Sequence, residues 1–347
     1  MKRLFYFLSA FALLTVAASC NKTSDAEGPA VEASKPIRVV VGVESGSQTK
    51  ATGITSNSES TEAKVNSLQV FIFHGEEKDG YAGPVAGKTL AVTCTAGMRD
   101  IYAVVNGPNL SNVTTKSAFL ATVSNLANEI TNFQMIGYKS EDLQEGGSVT
   151  VNVDRFAARV VIKGIKNALT NSSQANNFRI VSVYLTNVAG DINFGRDANY
   201  AVSTWYNKRG YQAANNLGDF TYDVVNAGVS AGATNSAAHY FYAYPNANAE
   251  AVGGPWTPRA SRLVVKCSIN GVVYNYPILL PALESNKSYE IELLTITRTG
   301  NPDDGNEPND DNDIDEEEPI EGLEKNFEIV VNPWTTVLIN GDGNVTI

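Results

Sequence analysis

The stretch Ile37-Arg38-Val39-Val40-Val41-Gly42-Val43 decides how the chain is read. Ile37, Val39, Val41 and Val43 fall on one side of an extended backbone, and Arg38, Val40 and Gly42 on the other. A period of two that sets an apolar row against a core marks a strand with one buried face. Similar runs, short and rich in Val, Ile, Tyr and Thr, recur at 65–74, 88–94, 100–106, 148–153, 157–165, 178–188, 239–244, 262–269, 272–280, 287–297, 327–331 and 335–339. Gly, Asn, Pro or Ser bounds each of them. Asn270-Gly271 between two runs predicts a type I′ hairpin. Residues 115–126 alone read as a short helix. Strands and helices do not alternate regularly, so a parallel sheet is not expected. The pattern predicts an all-β, mostly antiparallel protein of two sandwiches, with a boundary near Asp154.

At 347 residues the chain is long enough for two such cores. Charged residues make up 18%, below the ~25% usual for globular proteins, which disfavours long charged helices. The net charge is −11 and no basic patch stands out, which argues against a nucleic-acid partner. The two histidines, His74 and His239, cannot build a His-rich metal centre. Of 37 acids, 11 lie in residues 301–321, where there is no base, and the 26 elsewhere equal the 26 Lys and Arg. That segment interrupts two late strands and is expected to be a solvated loop. Within it, Asp311-Asn312-Asp313-Ile314-Asp315 opens like a calcium loop, but Glu316 and Gly322 stand where Gly and a bidentate Glu are needed. No metal or cofactor is expected.

Met1-Lys2-Arg3 followed by apolar residues 4–18 reads as a signal peptide over 1–19, too short to span a bilayer comfortably. Ala17-Ala18-Ser19-Cys20 resembles a bacterial lipobox, so Cys20 is the expected lipidation site and 20–36 a polar tether. The other cysteines, Cys94 and Cys267, share parity with the apolar rows of their strands and are expected as buried free thiols.

Two features could carry chemistry or recognition. Gly228-Val229-Ser230-Ala231-Gly232 matches a nucleophile elbow, with His239 downstream. It lacks an acid between Ser230 and His239 and lies in a small-residue stretch, so a hydrolase is a distant reading. Tyr200, Trp205, Tyr206, Tyr211, Phe220 and Tyr222 crowd an otherwise irregular stretch, 190–238. They are expected to be core, with sugar or protein stacking as the alternative.

Several motifs occur in an order that resembles the Bacteroidetes fimbrillins, the type V pilins related to the major fimbrillin FimA. They are Cys20, strand 37–43 followed by Thr49-Lys50-Ala51, Val65-Asn66-Ser67-Leu68-Gln69-Val70-Phe71-Ile72-Phe73, Tyr102-Ala103-Val104-Val105-Asn106 and Phe133-Gln134-Met135-Ile136-Gly137. Later come Val153-Asp154-Arg155-Phe156-Ala157-Ala158-Arg159-Val160, Asn286-Lys287-Ser288-Tyr289-Glu290-Ile291 and Val330-Val331-Asn332-Pro333-Trp334. The resemblance implies a non-enzymatic surface subunit made of two transthyretin-like β-sandwiches, 37–154 and 155–347. It implies a precursor held in the outer membrane by lipid until a protease with Lys/Arg preference cuts between Lys50 and Ala51. The cut would release the strand bearing Ile37, Val39, Val41 and Val43. A neighbouring subunit would then donate segment 335–347, with Val337, Leu338, Ile339, Val345 and Ile347 entering the groove. Such head-to-tail contacts do not close and build a fibre. A tip or accessory adhesin that binds host protein or glycan is the alternative.

Overall fold

In the computed structural model the structure describes residues 35–45, 62–305, 314–320 and the backbone of 329–333. Eight strands come first: β1 (Pro36–Ser45), β2 (Leu68–His74), β3 (Glu77–Val85), β4 (Thr89–Thr95), β5 (Gly97–Val105), β6 (Val123–Asn125), β7 (Met135–Leu143) and β8 (Ser148–Arg155). All but β6 join one sheet of order β3-β2-β5-β7-β8-β1-β4. Only Met135↔Arg155 and Ile136↔Asp154 connect β7 to β8, so the sheet turns over there. At its other end β4 lies over β3. A Cβ on Gly80 would meet the Thr93 carbonyl oxygen at 2.7 Å, so this approach requires glycine.

Strand β2 is buried on both faces, which hides its alternation. Leu68, Val70 and Ile72 share one side, and Phe71 and Phe73 the other, where helix α1 (Lys116–Leu120) covers them with Phe119. Thr115 caps α1 by accepting from the Ala118 amide. The helix expected over 115–126 is thus one and a half turns, and its remainder is β6 and the start of a 3₁₀ turn, Leu126–Glu129.

The remaining strands are β9 (Ala158–Ile162), β10 (Ile165–Asn167), β11 (Phe178–Thr186), β12 (Val188–Ala189), β13 (Asp191–Asn193), β14 (Trp205–Tyr206), β15 (Tyr222–Gly228), β16 (Thr234–Asn235), β17 (His239–Ala243), β18 (Arg262–Ile269), β19 (Val272–Leu279), β20 (Lys287–Ile291), β21 (Leu294–Ile296), β22 (Asn301–Pro302) and β23 (Ile329–Pro333). A second short helix, α2, covers Ser172–Asn176. Two larger sheets result, β15-β11-β18-β19-β22 and β17-β9-β20-β23. The protein is all-β and mostly antiparallel. Among the described strands three pairs run parallel: β1 with β8, β9 with β20 and β10 with β21. Asn270 (φ 50°) and Gly271 (φ 84°) close the β18–β19 hairpin as expected. Cys94 and Cys267 are free and buried.

The stretch 190–238 is less irregular than its composition suggests, since β13 to β16 lie within it. Asparagine side chains substitute for missing ladder bonds there. Asn187 accepts from the Arg209 amide and the Trp256 indole, and Asn207 donates to the Leu185 carbonyl. Trp205 packs edge-on against Trp256, and Phe220 sits between Phe133 and Tyr242.

The expectation of a solvated acidic loop is corrected for its described residues. Glu316 and Glu317 are buried, and so is Ile320. Both Glu317 carboxylate oxygens lie 2.9 Å from Arg259 Nη1, Arg209 Nη1 is 3.8 Å away, and the Gly253 amide donates at 2.9 Å. Glu316 accepts from the Tyr184 hydroxyl at 2.9 Å, and a Cβ on Gly210 would clash with its carboxylate. The acids pack because two buried arginines and a phenol receive them, a partnership that a charge count cannot reveal.

Another buried acid, Glu129, joins β6 and its 3₁₀ turn to the end of β17. The Tyr244 hydroxyl donates to Glu129 at 2.7 Å and lies 2.7 Å from Ser124 Oγ. Burial pushes the Glu129 carboxyl up to about 8, against the pull of Tyr244, Arg155 and Arg196.

Two outcomes are expected. Glu317→Ala leaves two buried arginines short of a counter-charge and lowers unfolding free energy by about 3–5 kcal/mol in urea titrations, whereas Glu318→Ala, at an exposed site, changes it by less than about 0.5 kcal/mol. For Glu129 the folded-state pKa is raised from the ordinary 4.5, so the folded protein keeps a proton that the unfolded chain releases. The associated stability is full below pH ~4.5 and drains as pH rises towards 8. Thermal melts between pH 5 and 8.5 should show this decline, and Glu129→Gln should flatten it.

Candidate assembly groove

Strand β1 occupies the centre of the smaller leaf of the first sheet, between β4 and β8. It runs antiparallel to β4 in the register Ile37↔Cys94, Val39↔Val92 and Val41↔Leu90. It runs parallel to β8 in the register Val41↔Val149 and Val43↔Val151. Ile37, Val39, Val41 and Val43 are 7%, 0%, 0% and 4% exposed, while Val40 on the other face is 42% exposed. The alternation read from the sequence therefore describes the strand as it sits. Both of its ends are pinned. The Arg38 amide donates to Glu145, the Gly146 amide to the Arg38 carbonyl, and the Val43 amide to the Lys88 carbonyl.

Burying four aliphatic side chains is worth about 1.5–3 kcal/mol each, or roughly 6–12 kcal/mol together. That is comparable to the whole stability of a typical domain, about 5–15 kcal/mol. Without β1, two inner strand edges would face water, and Val92, Val149 and Val151 would lose their cover. The site is therefore a strand-shaped groove already filled by a segment of its own chain.

Ile37, Val39, Val41 and Val43 converge on this groove. Cys20, Lys50, Ala51, Val337, Leu338, Ile339, Val345 and Ile347 lie outside the described residues, as does the rest of the expected donor segment. The groove walls were only partly foreseen. Strands 88–94 and 148–153 were read, but nothing in their sequences states that they flank β1 on opposite sides. Cys94 lies in the groove opposite Ile37, and its thiol is pushed up to about 11 by burial, with the Asp79 carboxylate adding to the effect. It is a masked, unreactive thiol while β1 is in place.

The other candidate site does not assemble. Ser230 is exposed after β15, and the chain continues into β16 and β17, so the course is strand–turn–strand rather than the strand–turn–helix of a nucleophile elbow. His239 is buried, with Nδ1 2.6 Å from Asp223 Oδ2.

Comparison with known proteins agrees with this architecture. Residues 36–140, which include the groove strands β1 and β4, match the family model of the major fimbrial subunit protein, FimA. A fimbrilin of Porphyromonas gingivalis W83 superposes with a TM-score of 0.59 at 15% identity, covering 87% of this chain and 98% of that one. A protein described as a candidate cell adhesion protein from Bacteroides eggerthii gives 0.57 at 18% identity, covering 86% and 95%. One so described from Parabacteroides distasonis gives 0.55 at 19%, covering 88% and 98%. No curated protein matches the chain. The resemblance to fimbrillins holds in the family match of the N-terminal part and in the fold of nearly the whole chain.

Proposed function

We propose that this fimbrillin-like chain is a structural subunit of a surface fimbria, polymerised by strand exchange at the β1 groove. The observation that carries the reading is the position of β1: a strand with a full apolar row, hydrogen-bonded on both sides, at the very start of the described fold. A strand that precedes every other described element would be separable by a single cut on its C-terminal side. Lys50, in the small polar stretch after β1, is the proposed cut site, with Ala51 as the new N-terminus. A protease with Lys/Arg preference would act there. Before the cut, acyl chains on Cys20 would hold the precursor at the outer membrane.

The proposed replacement is segment 335–347 of an identical or related subunit. Val337, Ile339, Val345 and Ile347 share one parity, and no proline interrupts the segment. In this reading 37–154 and 155–347 are separate sandwiches: the seven-stranded sheet ends at Arg155, although the short β6–β13 ladder crosses the boundary. The shaft reading is preferred to a tip adhesin acting through the aromatic stretch because Trp205 and Phe220 are core residues.

Limited trypsin digestion followed by N-terminal sequencing and electron microscopy tests the proposal. Fibres whose subunits begin at Ala51 are expected. Truncation after Trp334, or Val337→Asp, should leave a folded monomer that is cut but does not extend, since a carboxylate would enter an apolar pocket unpaired. Normal fibres from either variant would contradict the C-terminal donor, and assembled subunits that begin at Cys20 would contradict the processing step.

A further inference from the structure

We propose that a cleft where β7 and β8 part is a binding site for a neutral pyranose sugar. The cleft has a volume of about 520 Å³, and Tyr102, Tyr138, Asn152, Asp154, Phe194 and Arg196 are among its lining residues. That volume lies within the range of about 300–1,000 Å³ for small-ligand sites.

One wall is an aromatic platform fixed in advance. Tyr138 is 55% exposed, a large fraction for a tyrosine on a regular strand. Its ring does not swing freely, because its hydroxyl donates to Asp100 at 2.9 Å and Asp100 is itself held by Lys116 at 2.9 Å. Tyr102 packs against Tyr138 with ring centroids 4.9 Å apart and is backed by Phe119 at 5.0 Å. The Tyr138 hydroxyl is already bonded, so the ring face is the part left to a ligand. The C–H face of a pyranose is what stacks on such a surface.

Hydrogen-bonding groups of both kinds stand around the same cleft. The Asp154 side chain is 51% exposed, with Oδ1 receiving Asn286 at 2.9 Å. Asn152 adds an exposed amide. Arg196 is anchored by Nη2 to the Asp154 carbonyl at 2.8 Å and lies over the Phe156 ring at 5.1 Å. Its Nε is buried and has no hydrogen-bond partner among the described residues, and its backbone is held at φ 51°. A left-handed arginine costs energy unless its surroundings impose it, and such strain concentrates at binding sites. A carboxylate, an amide and a guanidinium together can accept from and donate to vicinal hydroxyls. The one acid and the one base offset each other, which favours an uncharged sugar over an anionic one.

This goes beyond the subunit reading above and needs neither cleavage nor polymerisation, so it is tested on the uncut chain. Saturation-transfer NMR and calorimetry would use free glucose, galactose, mannose, fucose, N-acetylglucosamine, N-acetylgalactosamine and sialic acid. At least one neutral pyranose should bind saturably, with Kd on the order of 1 mM. Tyr138→Ala should weaken it about tenfold or more, and Asp154→Asn should weaken it too, while Tyr138→Phe, which keeps the ring, should stay within about threefold. Circular dichroism and melting would verify that each variant is folded. The proposal is overturned if no neutral sugar binds, if only sialic acid does, or if folded Tyr138→Ala binds as wild type. Fibre formation is scored separately, so failure here leaves the subunit reading standing.

Discussion

The double-sided pairing of β1 with β4 and β8 is the constraint from which the rest follows. An edge strand could peel away and leave a sheet intact, but a central strand cannot. Ile37, Val39, Val41 and Val43 fill the interior of the leaf, and the turn at 145–147 and the Lys88 carbonyl fasten the strand ends. The first sheet is thus complete only while its first strand, or a substitute, is present. In the subunit reading proposed above, such a dependence would serve as an assembly device, because the cost of an empty groove would favour entry of a neighbour's strand.

The alternation of β1 was legible because one face meets the core and the other meets solvent. The same holds for β8, whose exposed and buried residues alternate without a break. Strands β3 and β7 were not legible. Glu77-Lys78-Asp79-Gly80 and Tyr138-Lys139-Ser140-Glu141-Asp142 are polar enough to read as loops. They are strands because backbone ladders with β2 and β5 recruit them, and tertiary pairing overrides propensity. The groove was half legible for a similar reason: parity reveals which side chains point inward, and it says nothing about which strands lie alongside.

Charge was the least legible feature. The run of acids in 301–321 looks like one solvated block, yet Glu317 sits between Arg259 and Arg209, and Asp303 pairs with Lys266. Each partner is distant in sequence. These clasps fix both ends of the described parts of the segment against β11, β18 and β19.

The central claim is that β1 fills a groove that opens when β1 departs, and two of the three cysteines, Cys94 and Cys267, report on it. Cys94 on β4 is the cross-strand partner of Ile37, whereas Cys267 is fully buried on β18 and serves as an internal control. The decisive measurement is the maleimide labelling rate at each cysteine, read by peptide mass spectrometry in the intact chain, after trypsin and in assembled fibres. The account predicts slow labelling at both sites in the intact chain, faster labelling at Cys94 alone after cleavage, and renewed protection of Cys94 in the fibre. Cys94 that stays protected after β1 has been lost, or that is as open in the fibre as in the cleaved monomer, would contradict it.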